Sequence, residues 1–144
     1  MTRQVNDATL ALIKKFEGCS LSAYQDSGSI WTEGYGHTQG INANSEDITQ
    51  DIADAWLLSD LEYWQDFVER TVTVSLNDNQ FGALVSLSYN VGIFPLQGGA
   101  LGEILNRGDY DAASQHILLY NKAGGVIVAG LVRRRQAEFD LFNS

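Results

Sequence analysis

The chain has 144 residues, of which 44% are hydrophobic and 19% are charged, a composition typical of one folded domain rather than a disordered segment. Its formal net charge of −9 disfavours nucleic acid as a partner, because phosphate binding requires an excess of lysine and arginine. A single cysteine, Cys19, excludes an intrachain disulfide and is typical of folding in a reducing compartment. No apolar stretch is long enough for a transmembrane helix or a secretory signal, so we expect no membrane insertion.

The first predicted element is a helix over residues 5–17. Asn6 is the expected N-cap, and Val5 and Leu10 have the spacing of a hydrophobic staple. Gly18 follows, and glycine is the usual residue just past a helix C-terminus. The pattern therefore places Glu17 in the last turn of this helix, where the packing of an apolar stripe would hold it rigidly.

Two short strands are predicted next, over residues 21–25 and 29–35, because both stretches are rich in aromatic and β-branched residues. Asp26 stands at the head of the Ser-Gly turn between them, and Thr32 lies on the second strand. A helix end followed by a hairpin would bring Glu17, Asp26 and Thr32 together across a small gap. Glycoside hydrolysis requires such a carboxylate pair, in which one protonates the leaving oxygen and the other activates water or attacks carbon.

The rest of the chain is predicted to be mainly helical. Residues 40–47 are polar and turn-prone, and we expect a third short strand or a loop there. Thr49 is the expected N-cap of a long helix that ends near Arg70. Asn77 and Gln80 fit a capping box at the start of the most apolar helix. The remaining predicted helices span residues 77–91, 101–107, 109–120 and 131–142. Gly124-Gly125 is expected to break the chain before the last of them.

The spacing of the polar residues resembles that of the phage-type lysozymes, or endolysins, which cleave bacterial peptidoglycan. Glu17, Asp26 and Thr32 match the Glu-Asp-Thr triad of that family, and the Gly-Tyr-Gly-His motif follows at residues 34–37. The segment over residues 81–92 is similar to the central-helix signature of the family. A C-terminal signature, with further matches from Asn121 to Glu138, extends the resemblance over residues 10–142.

The resemblance implies an α+β, lysozyme-like two-lobed fold with a cleft between the lobes. A small β-hairpin lobe and a larger helical lobe would be joined by a long helix. We therefore expect a single phage-type lysozyme domain over residues 1–144. Its expected parts are a small β lobe over about 18–48, a connecting helix over about 50–70, and a helical lobe over about 1–17 and 70–144.

The same resemblance implies a role for each site residue. Glu17 would be the general acid, Asp26 the partner carboxylate, and Thr32 the hydroxyl that orients the attacking water or the partner acid. The expected substrate-binding residues are His37, Thr38, Tyr89 and Asn90.

Each of these residues also has a simpler interpretation. An Asp before Ser-Gly commonly caps its own turn, and Thr32 is an ordinary strand residue. We favour a structural role for His37, with its ring bonded to an acid elsewhere in the hairpin lobe. Tyr89 could equally pack in the core. The run Arg133–Arg135 could be a solvated helix face, although the resemblance indicates that one arginine pairs with an acid near the cleft.

Glu33 departs from the family pattern, which usually has an apolar residue at this position. Strand alternation places its side chain on the face opposite Thr32, away from the catalytic acids. We therefore expect Glu33 to meet solvent or to loosen the packing of the small lobe. If the strand were bulged, Glu33 would instead enter the cleft as a third acid.

The function implied is hydrolysis of the β-1,4 bond between N-acetylmuramic acid and N-acetylglucosamine in peptidoglycan, which causes host cell lysis. We expect a monomer without a metal or organic cofactor, since the chain has no Cys/His ligand cluster. The protein would reside in the host cytoplasm and reach the cell wall after holin-type release. A lytic transglycosylase and a non-catalytic peptidoglycan-binding module remain as alternatives.

Overall fold

The computed structural model describes residues 3–144, which form six α-helices and two antiparallel sheets of two strands each. The fold is therefore α+β, as the sequence predicts. In chain order the elements are α1 (Asp7–Glu17), β1 (Ser20–Gln25), β2 (Trp31–Gly34), α2 (Gln50–Thr71), α3 (Asp78–Val91), α4 (Ala100–Asn106), α5 (Tyr110–Ile117), β3 (Lys122–Ala123), β4 (Val126–Ile127) and α6 (Ala129–Phe142).

The chain divides into two compact units. The hairpin unit comprises Ile13–Tyr63, and the helical unit comprises the residues up to Leu12 together with Trp64–Ser144. Helices α1 and α2 each begin in one unit and end in the other. No helix among residues 3–144 is both long enough and apolar enough to cross a bilayer.

Both ends of α1 have the capping residues that the sequence predicts. The side-chain oxygen of Asn6 accepts hydrogen bonds from the N–H of Thr9 at 3.0 Å and from the hydroxyl of Thr9 at 2.8 Å, which satisfies a free N-terminal donor. At the other end Gly18 has a φ of +67° and donates its N–H to the Lys14 carbonyl at 3.0 Å. This left-handed conformation favours glycine and ends the helix immediately after Glu17.

Strands β1 and β2 form the predicted hairpin with an irregular register. Tyr24 pairs with Thr32, but the next pair along the ladder is Ser20 with Gly34. Four residues of advance along β1 thus correspond to two along β2, so the bulge lies in β1. Side chains along β2 therefore still alternate between the two faces of the strand. No strand occurs in residues 40–47, where only the loop interpretation is confirmed.

Helix α3 is the most buried element of the helical unit, with every residue from Phe81 to Ser88 buried. Its capping box is complete, because Asn77 accepts from the N–H of Gln80 at 2.7 Å and Gln80 accepts from the N–H of Asn77 at 2.9 Å. At the C-terminus Gly92 has a φ of +90° and donates to the Ser88 carbonyl at 2.8 Å. The sequence therefore predicts both ends of α3 correctly.

Helix α3 also carries a glycine that the sequence pattern does not single out. A Cβ atom at Gly82 would lie 1.8 Å from Thr9 Oγ1 and 2.9 Å from Thr9 Cβ. The backbone of α3 thus approaches Thr9 of α1 so closely that only glycine fits between them.

The C-terminal part of the helical unit differs from the prediction in two places. Residues 122–127 form the β3–β4 hairpin, in which Lys122 pairs with Ile127 and Ala123 pairs with Val126. Its two-residue loop is the predicted glycine break, and both glycines have positive φ, as a type I′ turn requires. Strands of two residues are too short to leave a periodic signal in the sequence. Helix α5 ends at Ile117 rather than near residue 120, because the following residues form turns.

Candidate active site

Glu17 is the last residue of α1 and is partly buried. One turn earlier, Lys14 pairs with Asp54 of α2, with 3.3 Å between Nζ and Oδ1. The pKa of Asp54 is lowered, chiefly by the hydrogen bond from Gln50 and also by Lys14. The basic residue nearest to Glu17 along this helix face is therefore engaged with another acid of the hairpin unit.

Asp26 caps the turn between β1 and β2. Its Oδ1 accepts hydrogen bonds from the backbone N–H groups of Gly28 at 2.8 Å and Ile30 at 2.9 Å. Its own N–H donates to the Ile30 carbonyl at 2.9 Å. The capping role of an Asp before Ser-Gly is thus confirmed. The turn fixes the carboxylate through Oδ1 alone and leaves Oδ2 for another partner.

Thr32 lies on β2, one residue beyond Trp31, and is only 3% exposed. Its hydroxyl donates to the Ile30 carbonyl at 2.9 Å. The same carbonyl accepts the N–H of Asp26, so the peptide group of Ile30 holds both predicted site residues. The structure therefore brings Asp26 and Thr32 to the same end of the hairpin in a fixed geometry.

His37 is held from several directions within the hairpin unit. Its Nδ1 lies 2.8 Å from Asp60 Oδ2, and its Nε2 lies 3.0 Å from the Gln39 carbonyl. The ring stacks on Trp56 with centroids 4.5 Å apart, and the backbone of His37 exchanges two hydrogen bonds of 2.9 Å with Glu33. The ring is bonded to an acid, as expected, but Asp60 lies on α2, outside the predicted small lobe of about residues 18–48. Each ring nitrogen therefore has a partner within the hairpin unit.

Thr38 follows in an exposed turn, and its carbonyl accepts the N–H of Ile41 at 3.2 Å. Thr38 thus follows His37 directly and is the first residue of the loop over residues 38–47. The residue lies on the accessible surface of the hairpin unit.

Glu33 does not meet solvent, so that expectation is wrong. The residue is 1% exposed, and its Oε2 has no hydrogen-bond partner among residues 3–144. The reason is that both faces of β2 are covered. Thr32, on the other face, is likewise buried, with only 3% of its surface exposed. Because the bulge lies in β1, Glu33 stays on the face opposite Thr32.

Tyr89 and Asn90 belong to the helical unit, in the last turn of α3. Tyr89 is partly buried, whereas Asn90 is exposed. The side-chain oxygen of Asn90 accepts a hydrogen bond from Nη2 of Arg135. Sequence patterns gave no sign of this contact, because the two residues are 45 positions apart.

The arginine run on α6 is mostly buried, so it is not a solvated face. Arg134 is 3% exposed and Arg135 is fully buried, as is Glu138. Nε of Arg135 lies 2.9 Å from Glu138 Oε1, and Nε of Arg134 donates to Oε2 at 3.3 Å. Ser86 of α3 donates to the same Oε2 at 2.5 Å. Burial raises the pKa of Glu138, and the two guanidinium groups oppose this shift.

Asn90 lines a cavity of about 550 Å³ within the helical unit. Burial raises the pKa of the Tyr120 phenol, one of its walls, so this hydroxyl keeps its proton at neutral pH. The other lining residues of this Asn90 cavity are mainly apolar and comprise Val91, Phe94, Leu119, Lys122, Ala123 and Leu131.

The order of the elements, with a hairpin that carries Asp26 and Thr32 directly after α1, defines a lysozyme-like α+β protein. The family model described as phage lysozyme matches residues 14–138. The chain belongs to this family.

Relatives from different sources support this assignment. The endolysin of Acyrthosiphon pisum secondary endosymbiont phage 1 is 38% identical over 97% of this chain and 98% of its own length. The structure of a P22 lysozyme variant is 36% identical, has a TM-score of 0.88, and covers 99% of both chains. The muramidase domain of SpmX from Asticaccaulis excentricus is 33% identical with a TM-score of 0.90 and covers 99% of both chains. The predicted family and fold class are therefore confirmed.

Proposed function

We propose that this chain is a lysozyme that hydrolyses the β-1,4 bond between N-acetylmuramic acid and N-acetylglucosamine in bacterial peptidoglycan. The observation that supports this most directly is the arrangement around Ile30, which fixes one oxygen of Asp26 and the hydroxyl of Thr32 together. Further support comes from the spacing of Glu17, Asp26 and Thr32 and from the muramidase domain among the structural relatives.

In the proposed reaction Glu17 donates its proton to the glycosidic oxygen as the C1–O bond breaks. The positive charge that develops at C1 is stabilised by the carboxylate of Asp26. A water molecule, oriented by the Thr32 hydroxyl, transfers a proton to Asp26 as its oxygen bonds to C1. We propose inversion at C1, the outcome in which the second carboxylate acts as a base toward water instead of bonding to the sugar.

We further propose that His37, Thr38, Tyr89 and Asn90 contribute to substrate binding. For His37 the contribution is indirect, because Asp60 and Gln39 already occupy both ring nitrogens. Its role would be to hold the Gly-Tyr-Gly-His segment in shape beside Thr38. Asn90 is exposed and presents a polar group to a cavity, which suits direct contact with a sugar.

The biological role proposed is that of an endolysin, which acts as a monomeric single domain without a cofactor. It would be made in the host cytoplasm, reach the wall after holin-type release, and cause lysis by degrading peptidoglycan. The endolysin of Acyrthosiphon pisum secondary endosymbiont phage 1, which this chain matches almost end to end, supports this role.

Glu17→Gln tests the proposal with a turbidity assay on a peptidoglycan suspension. We expect wild-type protein to clear the suspension and the variant to be slower by about 10²–10⁴-fold, the usual contribution of a general acid. Glu46→Gln, which changes an exposed acid of the same unit, is the matched control and should clear at the wild-type rate. Clearing by Glu17→Gln at the wild-type rate would refute the assignment.

Mass spectrometry of the released fragments separates hydrolysis from transglycosylation. Hydrolysis adds water and leaves a reducing N-acetylmuramic acid end, whereas a lytic transglycosylase leaves a 1,6-anhydro sugar. An anhydro end would replace the hydrolase assignment with a transglycosylase. Binding to peptidoglycan without any fragments would instead identify a non-catalytic module.

A further inference from the structure

The contact between Asn90 and Arg135 determines whether the oxygen or the NH₂ group of the Asn90 amide faces Arg135. A guanidinium group has only N–H donors and cannot accept a hydrogen bond. The group of Asn90 that faces Arg135 must therefore be the oxygen, which is the arrangement observed. Because the amide is planar, its NH₂ group is turned away from Arg135.

Arg135 can impose this orientation because it is itself immobilised. Its side chain is fully buried, and its Nε lies 2.9 Å from the carboxylate of Glu138, which is also fully buried. Ser86 and Arg134 hold the other oxygen of Glu138. A buried polar network of this kind has little freedom, so its exposed end, Asn90, is pre-organised before any ligand arrives.

The cavity that Asn90 lines combines hydrogen-bond donors with apolar walls. Phe94, Leu119 and Leu131 provide apolar surface, and Lys122 adds an ammonium group. With the amide oriented by Arg135, the polar group that Asn90 offers is a donor. The matching ligand group has a neutral acceptor oxygen next to a small apolar group.

We propose that Asn90, oriented by Arg135, donates a hydrogen bond to the acetamido carbonyl of an N-acetylated sugar, with the acetamido methyl against the apolar walls of this cavity. An acetamido group carries both the acceptor and the methyl that the cavity requires. A free amino sugar carries an ammonium group in their place, which cannot accept from Asn90 and is repelled by Lys122. Asn90 is then a residue that determines specificity for N-acetylated glycan. This inference rests on the proposed function, because it takes a peptidoglycan-type glycan as the ligand.

Asn90→Asp tests the inference, since it keeps the shape and the Arg135 contact but replaces the donor NH₂ with an acceptor oxygen. The measurement is binding of the protein to insoluble peptidoglycan, native or chemically de-N-acetylated, in a Glu17→Gln background that is expected to slow cleavage. The readout is the ratio of the two dissociation constants. We expect Asn90→Asp to reduce the preference for native glycan about tenfold, the effect of losing one good hydrogen bond.

Two control variants separate the hydrogen bond from simple charge effects. Gln97→Glu adds the same charge at an exposed position of the helical unit that does not line the cavity. Lys122→Gln removes the ammonium that would repel an amino sugar. The inference is overturned if Gln97→Glu changes the ratio as much as Asn90→Asp, or if Lys122→Gln alone abolishes the preference. An unchanged ratio in Asn90→Asp overturns it as well.

A second readout needs no variant. The side-chain NH₂ of Asn90 gives its own ¹⁵N–¹H signals, which should shift when wild-type protein is titrated with tri-N-acetylchitotriose but not with the free-amine trisaccharide. Absence of a shift at saturation would overturn the inference. The proposed hydrolase activity is tested independently, because its measurement is clearing of the suspension by wild type and the loss of clearing in Glu17→Gln.

Discussion

Gly82→Ala is expected to destabilise the protein, although alanine normally favours a helix. The new Cβ atom would lie 1.8 Å from Thr9 Oγ1, 2.9 Å from Thr9 Cβ and 3.1 Å from Thr9 Cγ2. The hydroxyl cannot simply rotate away without loss of its 2.8 Å hydrogen bond to Asn6 Oδ1. Helix α3 and Thr9 must therefore move apart.

The size of the effect follows from three contributions. Overpacking of a core contact costs about 1–3 kcal/mol. Loss of the Thr9 hydrogen bond adds about 0.5–1.5 kcal/mol, and the higher helix propensity of alanine returns about 1 kcal/mol. The expected net loss is about 0.5–3.5 kcal/mol of unfolding free energy, or roughly 1–14 °C in Tm for a chain of this length.

Urea denaturation monitored by circular dichroism measures this loss, and Gly130→Ala provides the matched control. A Cβ atom at Gly130, in α6, would meet only Arg133 Nη2 at 3.8 Å, an ordinary contact. The same substitution should therefore stabilise the protein there by about 0.4–1 kcal/mol. The two glycine-to-alanine changes are therefore expected to shift the free energy of unfolding in opposite directions.

The Thr9→Ala change supplies the decisive test of the cause. It removes the two Thr9 side-chain atoms beyond Cβ, so Gly82→Ala should cost less in that background, with a coupling energy above about 0.5 kcal/mol. Recovery should be partial, because the Cβ at residue 9 stays 2.9 Å away. If Gly82→Ala is neutral in wild type, or equally costly in both backgrounds, the steric argument is wrong.

Three further outcomes are expected. Asp60→Asn should lower the unfolding free energy by about 1–2 kcal/mol in urea denaturation, because His37 loses a charged partner at 2.8 Å; an unchanged midpoint would show that the contact contributes nothing. Asn77→Ala should cost about 1 kcal/mol by opening the capping box of α3, and a loss below 0.3 kcal/mol would contradict it. Burial raises the pKa of Tyr120 above 10.0, so its contribution to stability is present below pH 10 and lost as pH rises through the folded-state pKa. The Tyr120→Phe variant should therefore lose stability less steeply than wild type in alkaline melts, and parallel curves would count against a buried phenol.

Local chemistry allowed much of the fold to be predicted. Asn6 and the Asn77–Gln80 pair cap helices through residues three positions away, and Asp26 caps its own turn two and four positions on. Such contacts depend on short-range backbone geometry, which the residue types themselves specify. The ends of α1 and α3, the hairpin turn and the positions of Glu17, Asp26 and Thr32 on those elements could thus be predicted from residue order.

Contacts between distant segments could not be predicted in this way. Strand alternation predicts that Glu33 lies opposite Thr32, but it could not show that Glu33 is buried on that face. The run Arg133–Arg135 has the composition of an exposed helix face, yet packing of α6 against α3 buries two of its three members.

The amino-acid sequence by itself determined the family, the α+β class and the residue types at the proposed reaction site, because these follow from spacing and local capping. Only the tertiary structure decided that His37 meets Asp60 and that Arg135 orients Asn90. Those pairs form because helices and loops far apart in the sequence bury their apolar faces together. The polar side chains brought inside must then find partners among whichever residues that packing places beside them.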